Sequence, residues 1–246
     1  MPGSDPARRS RVRCEWGRAG LAALAPSADV VIIVDVLSFA TCVEIAVSRD
    51  AVVLPFGWRD ARASAFAERM GAALAGPRGS GGLSLSPDSL RGLAPGARVV
   101  LPSPNGATLS LAAGPGRVLT GCLRNATAVA RAAAAAGARI LVLPAGEQWP
   151  DGSLRPCLED WLGAGAILAA LAERLSPAAL SVEADAARAA AVAARDALPR
   201  ALRDCASGRE LIERGYEADV ELAAVLDVSE AVPVLRDGAY HRLVES

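Results

Sequence analysis

Residues 30–34, VVIIV, run straight into Asp35 and then into a short turn, and no other stretch constrains the fold more. A continuous β-branched run fits a strand buried on both faces, as in the centre of a parallel sheet. Residues 42–47 follow with the pattern of a starting helix, and Ser38 and Thr41 sit in the turn between. A carboxylate at the C-terminal end of such a strand stands where open α/β sheets bind their ligands. Hard oxygen ligands beside free backbone N–H groups suit magnesium and phosphate chemistry.

The alternation continues along the chain. Residues 51–56, 98–101, 118–120 and 139–143 read as further strands. Residues 59–74, 106–112, 126–136 and 158–175 read as helices between and after them. Strands alternating with helices imply right-handed βαβ units and an α/β fold with a largely parallel sheet covered on both faces. Two helical stretches, 182–198 and 208–225, then precede a terminal hairpin of residues 232–235 and 239–244 around Asp237-Gly238. Residues 1–14, Arg-rich and without an apolar segment, read as a flexible tail ahead of a single domain at 15–246.

Composition narrows the chemistry. Every one of the 26 basic residues is Arg, so a lysine Schiff base or a P-loop lysine is excluded. A net charge of −1 gives no basis for nucleic-acid binding, and no apolar run reaches the ~20 residues that span a bilayer. Five scattered cysteines without a CxxC pair favour buried thiols and a reducing cytoplasm. A cysteine-phosphatase loop needs Arg six positions after Cys, and none of the five has it. His241, the single histidine, lies in the terminal hairpin and reads as structural or exposed, not as a nucleophile. The haloacid-dehalogenase pattern needs a second Asp where this chain has Leu37. Metal-assisted hydrolysis is what remains for phosphate chemistry.

Polar residues collect after the strands. Ser103-Pro104-Asn105-Gly106-Ala107-Thr108 follows the third, Gly121 to Asn125 the fourth, and Pro144-Ala145-Gly146-Glu147 the fifth. In a parallel sheet these ends share one edge. Asn105 and Asn125 each precede a helix, where a side-chain oxygen can cap it for ~1 kcal/mol. Glu159 and Asp160 open the long helix, favoured there by its dipole and available as acidic ligands opposite Asp35. The Gly-rich loop of residues 76–95 carries Arg78 and Gly79, suited to wrapping an anion. Glu44, Glu183 and the acids between 210 and 221 read as solvated helix faces.

The segments VDVLSFAT, GPRG, PNGAT, GCLRNATAVA, PAG, LEDWLGAGA and SGRELIERGYEADVELAAVLDVS, in this order, resemble the 2-phosphosulfolactate phosphatase family. The resemblance implies a three-layer α/β/α fold and a magnesium-dependent enzyme of coenzyme M biosynthesis that hydrolyses a small anionic phosphate monoester. Mapped onto this sequence it implies Asp35, Asn105 and Glu159 as catalytic residues. Ser38, Thr41, Arg78, Gly79, Gly106, Thr108, Asn125 and Gly146 are expected to bind phosphate or substrate. Asp35, Glu159 and Asp160 are expected to hold Mg2+. The expected partner is the small substrate, with neither nucleic acid nor membrane, and a homodimer is compatible with the Ala-rich helices. Ser38 stands where the family has Arg, the acid of the family's Gly-Glu-Arg-Gly loop becomes Pro77, and the following Asp and Asn are lost. These departures define the second reading, an anion-binding relative with altered chemistry.

Overall fold

The structure is a computed structural model that describes residues 11–58 and 60–244. It begins with β1 (Val12–Cys14) and α1 (Gly17–Leu24), then β2 (Val30–Val34), α2 (Phe39–Ser48) and β3 (Val52–Phe56). Next come α3 (Ala61–Met70), β4 (Ala73–Leu74), β5 (Arg98–Pro102), α4 (Gly106–Ala112), β6 (Arg117–Gly121) and α5 (Ala126–Ala136). Strand β7 (Ile140–Pro144) is followed by the small pair β8 (Glu147–Gln148) and β9 (Leu154–Arg155), and by the long α6 (Leu158–Leu175). Four helices follow, α7 (Val182–Ala194), α8 (Leu198–Asp204), α9 (Ala206–Glu213) and α10 (Glu217–Ala223), before β10 (Pro233–Arg236) and β11 (Ala239–Arg242).

Nine strands of the described residues form one sheet, in the order β1-β7-β2-β6-β10-β11-β3-β5-β4. Strand β2 pairs in parallel with both β6 and β7, and all five of its residues are buried. Side chains alternate between the two faces: Val30, Ile32 and Val34 pack against α5 and α6, while Val31 and Ile33 meet α1 and α4. Helices on both faces therefore account for a strand with no polar residue, each side chain contributing roughly 1.5–3 kcal/mol of burial. The α/β reading, with helices on either side of a mostly parallel sheet, holds.

The terminal hairpin forms as expected and belongs to the main sheet. It is inserted between β6 and β3 and pairs antiparallel with both. Four details differ from the sequence reading. Three antiparallel pairings in succession make the set β3-β5-β4 run opposite in sense to β7-β2-β6. The strand ends thus do not share a single edge. Val12–Cys14, assigned to the tail, instead forms the strand β1, parallel to β7, with Val12 and Cys14 buried. The rest of the expected tail, through residue 10, lies outside the described residues. The helix expected at 59–74 is shorter, because Gly71 turns left-handed at φ 58° and Ala73–Leu74 then joins the sheet. The acidic residues taken as solvated include two that are buried, Glu44 and Asp219, each held by an arginine.

Candidate active site

The site forms where β2 ends. Asp35 is 7% exposed, and both of its oxygens accept backbone N–H groups: Oδ1 from Phe39 at 3.0 Å and Oδ2 from Gly106 at 2.9 Å. The first bond closes the turn into α2, and the second carries the segment after β5 onto the end of β2. A side chain at Gly106 is excluded, since an added Cβ would lie 2.3 Å from Phe39 Cδ1 and 2.7 Å from Asp35 Oδ2. The hydrogen bond from Gly106 N–H to Asp35 joins the two segments although their strands run in opposite senses.

Asp160 mirrors that arrangement from the first turn of α6. Its Oδ1 accepts from Val36 N–H at 2.7 Å and its Oδ2 from Gly146 N–H at 2.9 Å. Helix α6 can lie against β2 because Gly163 is side-chain-free, its added Cβ falling 2.6 Å from Val36 Cγ2. Gly146 adopts φ 66° and faces Arg155 O, an approach open only to glycine. Two carboxylates thus brace the segments after β2, β5 and β7 against the start of α6. The N–H groups of Gly106 and Gly146, expected to hold phosphate, are spent on these two acids.

Burial makes the pair electrostatically unusual. Desolvation lifts Asp35 to about 7, and the nearby Glu147 and Glu159 push in the same direction. Asp160 is raised well above the ordinary carboxylate range by burial, with Asp35 and Glu159 adding to it. The nearby arginines serve other acids: Arg78 pairs with Asp219 and Arg155 with Glu210. A cluster of hard oxygens with surplus negative charge suits a divalent cation, and each carboxylate oxygen keeps a lone pair beyond its backbone bond. The expected trio of Asp35, Glu159 and Asp160 is not a ready cage. Among the described residues, no three His, Cys, Asp or Glu side chains are grouped to hold a metal. Glu159, 2% exposed, lies against the Cys205 thiol. The donors therefore fit an ion held by one or two carboxylates, with water and phosphate oxygens supplying the rest, as Mg2+ is commonly bound.

Arg78 reaches the same turn from the Gly-rich loop. Its Nη2 donates to Ser38 Oγ at 2.7 Å, its Nε donates to Asp219 Oδ2 at 3.3 Å, and its guanidinium lies over the Tyr216 ring. Ser86 adds a 2.6 Å bond to the other oxygen of Asp219. Gly79 turns at φ 82° beside the Tyr216 hydroxyl. Asp219, Tyr216 and Ser86 were not foreseen, because their contribution depends on α10 folding back onto a loop about 140 residues earlier. Thr108, in the first turn of α4, has a buried Oγ1 with no hydrogen-bond partner. Asn105 is half-buried and makes no side-chain cap to α4, so its amide is not committed there.

Two expected ligand-binding residues are internal. Thr41 is fully buried and its hydroxyl donates to Val36 O at 2.7 Å, fixing the turn. Asn125 is fully buried as well. Its Oδ1 accepts from Cys122 N–H and its Nδ2 donates to Ala231 O, joining the β6 end to the approach of β10. Both stabilise the walls of the site and neither is open to a substrate. The five cysteines are free and buried, and burial pushes Cys122 and Cys205 up to about 12, so they are neutral thiols.

A cavity of about 210 Å³ lies beside the segments that hold the acids, with Trp16, Arg18, Asn105, Gly146, Glu147 and Leu154 among its lining residues. Trp16 stacks on Trp161 at 5.5 Å between ring centroids. Glu147, visible in the sequence only as one of the polar residues after the fifth strand, lines this wall. No helix among the described residues is long and apolar enough to cross a membrane.

No curated protein matches the chain significantly. The model of one family, described as 2-phosphosulpholactate phosphatase, matches residues 21–238. The match spans β2 to the hairpin turn, including both bracing acids and the arginine loop, and the chain belongs to the 2-phosphosulpholactate phosphatase family.

Proposed function

We propose that this chain is a Mg2+-dependent phosphatase acting on a small anionic phosphate monoester, with 2-phosphosulfolactate as the substrate the family points to. One observation carries the reading: Asp35 and Asp160, both buried, are held by four backbone N–H groups from three different segments at the end of one central strand. In that setting Asp35 and Asp160 would hold the ion, and bound Mg2+ would supply Lewis-acid polarisation of the phosphoryl group.

The chain's own residues would do the rest. Asn105, with its uncommitted amide, and Thr108, with its orphaned hydroxyl, would contact phosphate oxygens. Arg78 uses two of its five N–H groups on Asp219 and Ser38, which leaves donors for an anion. The family's Arg at position 38 is absent, yet the Arg78 guanidinium rests on the Ser38 hydroxyl, so positive charge still reaches that turn. Glu159 would support the pair from behind, and Glu147 would face the cavity. Five free, buried thiols support a reducing compartment such as the cytoplasm.

The test is phosphate release. Purified protein with Mg2+ is offered a panel of small phosphoesters that includes 2-phosphosulfolactate. Release that stops on chelation and in Asp35→Ala supports the reading; no release from any ester overturns it in favour of an anion-binding relative.

A further inference from the structure

The opposite end of α2 carries a second charged cavity. Its volume is about 280 Å³, and it is lined by Ile45, Ser48, Arg49, Arg91, Arg124 and Leu222. Three arginines from three separate segments line it, and no carboxylate is among the lining residues. Helix α2 is ten residues long, which sets the cavity about 15 Å along its axis from Asp35. It is therefore not the site described above.

Arg124 is the fixed member. Its side chain is 15% exposed, its Nε pairs with Glu44 Oε2 at 2.6 Å, and its Nη1 donates to Leu222 O at 3.0 Å. Glu44 is itself 1% exposed, so the pair anchors the guanidinium rigidly. Arg49 makes no side-chain hydrogen bond or ion pair among the described residues. Arg91 has only a 3.2 Å bond to Asp88, with both side chains more than half exposed, an interaction worth little in water. The α2 dipole favours a cation at Arg49, but it does not explain why Arg91 and Arg124 converge on the same space. Planar forks from several directions match the geometry of a tetrahedral oxyanion, and their mutual repulsion is relieved by one.

The cavity also touches the segments that hold Arg78. Leu222 is three residues after Asp219 on α10, and Arg91 follows Ser86, which bonds Asp219. We propose that this cavity is a second anion site, taking a free phosphate-type oxyanion between Arg49, Arg91 and Arg124. Bound there, the anion joins the 86–91 segment to α10 and steadies the carboxylate on which Arg78 rests.

Inorganic phosphate is the probe, titrated into the full chain at constant ionic strength, with chloride as the matched control. Melting temperature is followed in the parent, in Arg49→Ser and in the Arg49→Ser/Arg91→Ser pair. Both positions are exposed, so the fold should tolerate the changes. The expected result is a phosphate-specific rise whose half-saturation moves up several-fold in the single variant and at least tenfold in the double. An equal rise in parent and double variant, or one that chloride reproduces, overturns the proposal.

Discussion

Asp160 accepts the backbone N–H of Val36, the residue that follows Asp35. A carboxylate from the start of α6 is thereby pinned beside the carboxylate that ends β2, although 124 residues separate the bonded pair. Each acid is held through both of its oxygens, and replacements that keep the shape still lose an acceptor.

That loss is measurable as stability. In Asp160→Asn the amide can offer one oxygen, so either Val36 N–H or Gly146 N–H is left facing a donor in a buried place. An unsatisfied buried group costs about 1–3 kcal/mol. Urea unfolding of the variant should show a midpoint lowered to match, and an unchanged midpoint would mean that the two bonds do not form.

The pH dependence of stability has a definite sign. An ordinary Asp titrates near ~3.9, whereas burial and the neighbouring acids lift Asp35 to about 7. Between these values the folded chain keeps a proton that the unfolded chain has lost. The metal-free protein should therefore lose stability as pH rises from about 4 to 7. Asp160, shifted in the same direction, adds to the slope. Melting temperatures from pH 5 to 8 should fall, and Mg2+ should restore more at pH 8 than at pH 5. A flat or rising profile without Mg2+ contradicts the buried acidic pair. In Asp35→Asn the slope should flatten, whatever the variant's absolute stability.

Much of this was legible beforehand, for identifiable reasons. The run 30–34 has the β-branched pattern of a central strand and forms one, and the helices at 106–112, 126–136 and 158–175 begin and end where the sequence places them. Asp35, Asp160 and Arg78 stood out because charged residues at strand ends, helix starts and Gly-rich loops are conspicuous. The partners of those residues were not legible. That Asp219 receives Arg78, or that Gly106 N–H goes to Asp35 instead of a ligand, depends on contacts across 141 and 71 residues. Asn125 and Thr41 look like site residues in one dimension, and only burial shows that their polar groups are satisfied by backbone. The hairpin's insertion between β6 and β3 is a long-range pairing with no local signature.

Arg78→Ala removes the partner of a carboxylate that is 3% exposed. Leaving Asp219 buried with only the Ser86 hydroxyl should destabilise the fold by roughly 1–3 kcal/mol. Arg203→Ala, which removes exposed contacts to Glu217 and Glu221, should cost less than about 1 kcal/mol. Chemical denaturation of the two variants side by side checks the ranking. The same Arg78 change should raise KM for a phosphoester more than it lowers kcat, as expected for a group that binds the anion.

Gly106→Ala tests the closest approach in the site. The added methyl would sit 2.3 Å from the Phe39 ring and 2.7 Å from Asp35 Oδ2, so the turn must shift away from the end of β2. Soluble Gly106→Ala should show a lowered melting temperature and lose most phosphate release. Full activity in this variant would mean that the segment after β5 is not held as described.

The central claim is that Asp35 and Asp160 together form a Mg2+-dependent phosphatase centre. Steady-state phosphate release from 2-phosphosulfolactate, as a function of Mg2+, in the parent, Asp35→Asn and Asp160→Asn tests it most directly. Mg2+-dependent turnover is expected in the parent, with at least a hundredfold loss of kcat/KM in each folded variant that saturating Mg2+ fails to rescue. Turnover that persists in both variants, or that ignores Mg2+ and chelator in the parent, would contradict it.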